Sequence, residues 1–148
     1  MRQLRQNSIP GIAINTMAKS SVIYIDGASR GNPGPAAIGV VIRDEEKKVL
    51  AKISRAIGVT TNNQAEYRAV IAALEKASQL GINEVEMRSD SELIVRQIKG
   101  QYRVKNAGLK TLYQKVIQLQ SRMTSFTITH IPREENQEAD RLANEALR

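Results

Sequence analysis

The order of its strand-like and helix-like stretches leaves this chain very few folds. Three β-rich runs come first, Val22–Asp26, Ile38–Arg43 and Val49–Ile57. The dense turn signal Gly27-Ala28-Ser29-Arg30-Gly31-Asn32-Pro33-Gly34-Pro35 separates the first two, and Asp44-Glu45-Glu46-Lys47-Lys48 separates the second from the third. Runs joined by such short Gly/Pro-rich or polar segments pair as antiparallel neighbours. Helix and strand alternate after that. Thr61-Asn62-Asn63-Gln64 has the spacing of a capping box, threonine at the cap and glutamine three residues on. It opens a helix that runs to about Leu80, where Gly81 stops it. Ala65, Ala69, Ala72 and Ala73 keep that helix slim enough to lie close on a sheet.

Ile82–Ser89 reads as the next strand, and Ser91–Ile98 as a short helix stopped by Gly100. Leu109–Met123 reads as a longer helix with Leu109, Leu112, Val116 and Leu119 at core spacing. A last strand, Phe126–Ile131, precedes a last helix, Asn136–Leu147, with Ala139, Leu142, Ala143 and Ala146 on its buried side. The expectation is one α/β domain over residues 20–148, with a mixed five-stranded sheet flanked by helices: three antiparallel strands, then parallel additions. At 148 residues, 41% of them hydrophobic, the chain suits a single core. Residues 1–19 carry Arg2, Arg5 and Lys19, no acid, and Pro10-Gly11. They read as a flexible basic extension, with Met17 as an alternative start.

Four acids are unusually placed on this scaffold. Asp26 ends the apolar run Val22-Ile23-Tyr24-Ile25, Asp90 follows the strand ending at Ser89, Glu66 lies in the first turns of an alanine-rich helix, and Asp140 lies in the first half of the last helix. A carboxylate at the edge of an apolar core is costly unless a partner offsets its burial. If the strands ending in Asp26 and Asp90 are parallel neighbours, their carboxyl ends lie side by side, where open α/β sheets hold ligands. Four acids from four elements can then surround one cleft and hold two divalent ions. The bland alternative is that fifteen acids must fall somewhere and that helices often begin with acids for dipole reasons.

Composition narrows the chemistry. There is no cysteine, and the only histidine is His130, so thiolate and multi-histidine metal sites are excluded. A metal here needs oxygen ligands, which favours magnesium or manganese. Absence of cysteine fits a reducing, cytoplasmic setting. No apolar run approaches the roughly 18 residues of a membrane span, and no secretory pattern opens the chain. The net charge is +7, and no acid falls between Glu92 and Glu134, an interval holding Arg96, Lys99, Arg103, Lys105, Lys110, Lys115, Arg122 and Arg133. A one-signed interval of this kind suits a polyanionic partner, although a solvated helix face would look similar.

The motifs around the acids resemble a known family. Asp26-Gly-Ala-Ser-Arg-Gly-Asn-Pro-Gly-Pro, Thr61-Asn-Asn-Gln-Ala-Glu66, Ser89-Asp90-Ser91 and Asn136-Gln-Glu-Ala-Asp140 look like the four signature blocks of type 1 ribonuclease H, in the right order. The resemblance covers Ser20 to the C-terminus and implies the ribonuclease H-like fold. It also implies hydrolysis of the RNA strand of an RNA–DNA hybrid, with 5′-phosphate and 3′-hydroxyl products; one small domain of this size is expected to be a monomer. Two magnesium ions, with manganese as a substitute, would be held by Asp26, Glu66, Asp90 and Asp140. One would activate the attacking water and the other would stabilise the departing 3′ oxygen.

By the same resemblance, Ser29, Asn32, Asn62, Gln64, Ser91 and Glu92 face the hybrid, where small polar groups can read 2′-hydroxyls. Thr61 and Asn32 resemble the family's pocket for a DNA phosphate, yet Thr61 is also a helix cap and Asn32 a turn residue. Double-stranded RNA is a second candidate substrate. Other readings are a hybrid- or double-stranded-RNA-binding module without catalysis and a related nuclease such as a junction resolvase.

Two departures from the family pattern matter. Longer members carry a Trp- and Lys-rich basic protrusion, whereas Gln97–Asn106 here leads directly into the next helix and the chain has no tryptophan. This resembles the short archaeal and bacterial forms, and moves substrate grip to Lys99, Tyr102, Arg103, Lys105 and the N-terminal arm. The family also places a catalytic histidine in the loop before the last helix. His130 has the ungapped spacing, while a short deletion would leave Arg133 in that place. Arg133 is the favoured functional residue, with His130 a partly structural neighbour.

Overall fold

The computed structural model describes residues 19–148; the basic extension expected over residues 1–19 lies, except for Lys19, outside them. The strands are β1 (Ser20–Ser29), β2 (Gly34–Arg43), β3 (Val49–Thr60), β4 (Glu84–Ser89) and β5 (Ser125–His130). The helices are α1 (Asn62–Gln79), α2 (Glu92–Ile98), α3 (Ala107–Gln120) and α4 (Gln137–Glu145), with a 3-10 turn over Arg133–Glu135. The five-stranded sheet has the order β3-β2-β1-β4-β5. β1–β2 and β2–β3 are antiparallel, and β1–β4 and β4–β5 are parallel. This is the α/β arrangement the sequence predicts.

The alternation of side chains across the pleat separates the two layers. Ile23 and Ile25 point into the main core with Tyr67, Val70 and Leu74 of α1, Ile94 of α2 and Leu109 and Val116 of α3. On the other face α4 packs against β1 and β2, with Ala139 and Ala143 fully buried. Glu138 pins α4 to the sheet through Arg43 at 2.6 Å and Lys52 at 2.8 Å. These cations hold the Glu138 carboxyl below its ordinary range, Lys52 foremost.

Element boundaries differ from the sequence reading at the first turn. β1 continues to Ser29 and β2 begins at Gly34, with Gly27↔Ile38, Ala28↔Ala37 and Ser29↔Ala36 still paired. The Gly/Pro-rich stretch looks like a nine-residue turn, but ladder pairing carries most of it and leaves only Arg30–Pro33 to reverse the chain. α3 begins at Ala107, two residues earlier than expected, because Asn106 caps it by accepting from the Leu109 N–H at 3.0 Å. The capping box at Thr61 forms only in part. Thr61 Oγ1 accepts from Gln64 N at 3.2 Å, while the Gln64 side chain bonds the Thr60 hydroxyl instead of turning back to the cap.

Candidate active site

Parallel pairing of β1 with β4 sets Ile25 opposite Ser89, so the residue that follows each is an aspartate: Asp26 within β1 and Asp90 just past the end of β4. Glu66 arrives from the α1 layer. Oxygens of Asp26, Glu66 and Asp90 all lie within 4.8 Å of one another, with Asp26 and Glu66 only 6% and 4% exposed. Asp140 stands outside this trio, near enough to help raise the Asp26 carboxyl.

Two glycines make the approach possible, and neither stood out in the sequence as a site residue. A Cβ on Gly27 would lie 2.3 Å from the Ala65 carbonyl carbon and 2.4 Å from Glu66 N. α1 therefore lies directly on β1, and Gly27 N–H donates to Glu66 Oε1 at 2.7 Å. Gly39 is paired with Asp26 across the β1–β2 ladder. A Cβ there would lie 2.0 Å from Ala139 O, so α4 sits against the sheet beside Asp26 and brings Asp140 with it. The sequence signal was present but ambiguous, because a glycine within a strand marks either a bulge or a close backbone approach.

Asn136, quoted in the sequence only as the start of a signature block, is a third residue whose part in the site sequence reasoning passed over. It is 1% exposed, and its amide donates to Ile25 O at 2.9 Å and Asp90 Oδ2 at 3.1 Å. Its own carbonyl accepts from Asp140 N at 3.1 Å. One side chain and its backbone thus tie together the end of β1, the Asp90 carboxylate and the start of α4.

The electrostatics follow from this crowding. Burial, then Asp90 and Asp140, push the Asp26 carboxyl up to about 8. Burial, then Asp26, push Glu66 well above its ordinary value, against the lowering effect of the Gly27 N–H. The Arg133 charge pulls both downward, so Arg133 reaches the cluster electrostatically. His130 ends β5 opposite Ser89 and is exposed. A dense set of carboxylates that resists ionising together fits a hard cation with oxygen ligands, which would stabilise the charged form of every member.

The other predicted residues divide by place. Asn32 Oδ1 accepts from Asn62 N at 3.0 Å, and with Thr61 and Gln64 this joins the first turn to the start of α1. Ser29 bonds the Gly31 carbonyl. Ser91 caps α2, whereas Glu92 is exposed and paired with Arg96 at 2.8 Å. Lys105 is exposed just before α3.

Comparison with known proteins bears on this geometry. A family profile described as Reverse transcriptase-like matches residues 24–146. The chain is 45% identical to "Ribonuclease HI" of Halobacterium salinarum over 124 residues, covering 84% of this chain and 62% of that protein. It is 45% identical to "Bifunctional protein Rv2228c" of Mycobacterium tuberculosis over 127 residues, 85% of this chain and 35% of that protein. The chain thus spans less than two thirds of these curated relatives. Among solved structures, LC11-RNase H1 in complex with an RNA/DNA hybrid superposes with a TM-score of 0.81 at 50% identity, covering 85% of this chain and 95% of that one.

Proposed function

The chain belongs to the ribonuclease HI family, and on that premise we propose that it is an endonuclease hydrolysing the RNA strand of RNA–DNA hybrids. The products would carry 5′-phosphate and 3′-hydroxyl ends. The observation that carries this reading is the convergence of Asp26, Glu66 and Asp90 within 4.8 Å, with Asp140 against Asp26. A chain with no cysteine and such a carboxylate cluster is suited to attack by water.

We assign Asp26, Glu66, Asp90 and Asp140 as ligands for magnesium, with manganese as a substitute. Bound there, divalent cations would activate water and offset charge on the phosphate and the departing oxygen. The protein's own part is positional. Gly27 N–H orients Glu66, Asn136 orients Asp90, and the packing of α4 over Gly39 sets the position of Asp140. Asn32, Thr61, Asn62 and Gln64 line the edge next to Glu66 and suit recognition of sugar hydroxyls and phosphate. The direct test is an assay with labelled hybrid, DNA duplex and double-stranded RNA in magnesium. Cleavage confined to the RNA strand of the hybrid is expected; preferential cutting of duplex DNA would replace this reading with another nuclease activity.

Arg133 is the better candidate for the auxiliary role. Its charge acts on Asp26 and Glu66, and a fixed guanidinium suits contact with a phosphate oxygen. Arg133→Ala should lower kcat on hybrid about tenfold, with His130→Ala close to wild type. The reverse ranking would hand proton transfer to His130.

Asn136 acts as a positioning residue. Asn136→Ala should raise the magnesium concentration for half-maximal cleavage about tenfold or more, as loss of a ligand-orienting partner does elsewhere. A magnesium titration distinguishes this from simple destabilisation, which would lower the active fraction and leave the midpoint unchanged.

A further inference from the structure

α4 carries Asp140 to the site from outside the main core, and its hold on the sheet is uneven around its axis. Successive residues of a helix turn by about 100°. Ala139 is fully buried and lies over Gly39, so Glu138 and Asp140 leave the helix on opposite flanks, both half-buried. The Asp140 flank is turned towards Asp26. The Glu138 flank is turned towards Arg43 of β2 and Lys52 of β3.

The contact over Gly39 fixes how close α4 lies, but not how it is rolled. A Cβ on Gly39 would lie 2.0 Å from Ala139 O and 2.8 Å from Ala143 N, so backbone rests on backbone with no side chain between them to interlock. The start of the helix lacks a side-chain cap, because the Asn136 amide is committed to Ile25 O and Asp90. Beside Glu138 lies a cavity of about 400 Å³ bordered by Val22, Tyr24, Arg88 and Ala139, so packing does not brace that flank. Ser54 Oγ, which donates to Leu142 O at 2.6 Å, holds only the second half of the helix.

Glu138 supplies the missing brace. Its Oε1 meets Arg43 Nη2 at 2.6 Å, and its Oε2 meets Lys52 Nζ at 2.8 Å. Both cations stand on the β2–β3 ladder, at Arg43↔Val49 and Val41↔Lys52, and Arg43 also donates to Lys47 O at 2.8 Å. A carboxylate about 6 Å from the helix axis moves by about 2 Å when the helix rolls by about 20°. A metal ligand tolerates only about 0.2 Å. Half-exposed ion pairs contribute little to overall stability, yet here they have leverage on Asp140.

We infer that Glu138 is a positioning residue for the carboxylate site: its pairs with Arg43 and Lys52 set the roll of α4 and so the place of Asp140. This rests on the metal site proposed above.

The test measures magnesium binding by titration calorimetry at pH 8, and hybrid cleavage over a magnesium series. Glu138→Gln should bind magnesium about fivefold more weakly and raise the cleavage midpoint by the same factor. Its metal-free melting temperature should fall by less than about 4 °C. Lys52→Gln breaks one pair from the sheet side; it should shift binding in the same direction and carries the comparison if Glu138→Gln does not fold. Glu145→Gln removes an ion pair with Arg141 on the same helix, away from the sheet, and should match wild type. The deciding arm is Asp140→Asn, where adding Glu138→Gln should leave magnesium affinity unchanged. Wild-type magnesium binding in Glu138→Gln and Lys52→Gln would overturn the inference. So would the same fivefold loss in the Asp140→Asn background, since the effect would not then pass through Asp140. A wild-type protein that neither binds magnesium nor cuts hybrid would overturn the functional reading itself.

Discussion

Asp26→Asn should reduce hybrid cleavage by at least about a thousandfold while making the metal-free protein more stable at pH 8. Both effects have one cause. Asp26 is buried among Glu66, Asp90 and Asp140, and this raises its carboxyl to about 8 in the folded state. In the unfolded chain the same group ionises in the ordinary carboxyl range. Between those two limits the folded protein holds the extra proton, so metal-free stability declines as pH rises from about 4 to about 8. Glu66 adds to the decline in the same direction. An asparagine has no charge to desolvate, so the variant loses less stability over that window. Magnesium should stabilise the wild type at pH 8 and should stabilise Asp26→Asn much less. Thermal melts at pH 5 and pH 8, with and without magnesium, would check this alongside the cleavage assay. A variant that cuts hybrid well would remove Asp26 from the mechanism. A variant less stable than wild type at pH 8 without metal would show that Asp26 is not a strained buried charge.

Gly27→Ala should damage both fold and site. Alanine suits a strand better than glycine does, and that preference would favour the substitution by a few tenths of a kcal/mol up to about 1 kcal/mol. The added methyl, however, would sit 2.3–2.5 Å from Ala65 C, Glu66 N and Ala65 O. These are backbone atoms of a packed helix and cannot rotate away. Relief requires α1 to lift from β1, at a cost of about 1–3 kcal/mol, and lifting α1 stretches the 2.7 Å bond from Gly27 N to Glu66. A lower melting temperature should therefore accompany a higher magnesium requirement and reduced cleavage even well below the melting point. Wild-type activity in a merely destabilised variant would show that Glu66 does not depend on this contact.

Much of the architecture could be read in the chain because local chemistry and tertiary need agree there. The β-branched run Val22–Ile25, the threonine cap at Thr61 and the alanine face of α1 each make one choice far cheaper than its alternatives. The strand pattern also anticipates the adjacency of Asp26 and Asp90, since parallel neighbours necessarily align their carboxyl ends. The first turn was misjudged because Gly27 and Gly34 carry turn-like local preferences that ladder hydrogen bonds override.

The helper residue near Asp140 could not be settled by spacing, since a deletion of a few residues exchanges His130 and Arg133. In the fold, the 3-10 turn at Arg133–Glu135 brings the Arg133 charge to bear on Asp26 and Glu66, which is why we propose Arg133 for the role. Gly39 and the bonding of the Asn136 amide have no local signature of their importance. The meaning of a buried amide or an absent methyl lies in what stands opposite.

The sequence by itself determined the element order, the four acids, the oxygen-only ligand chemistry and the family. Each of these depends on residue type and neighbours along the chain. Only the tertiary structure decided how close the acids come, which glycines permit it, and which cations share a surface with them. Those are distances between residues far apart along the chain, 111 positions for Asn136 and Ile25, and they exist only once the two layers have closed on the sheet.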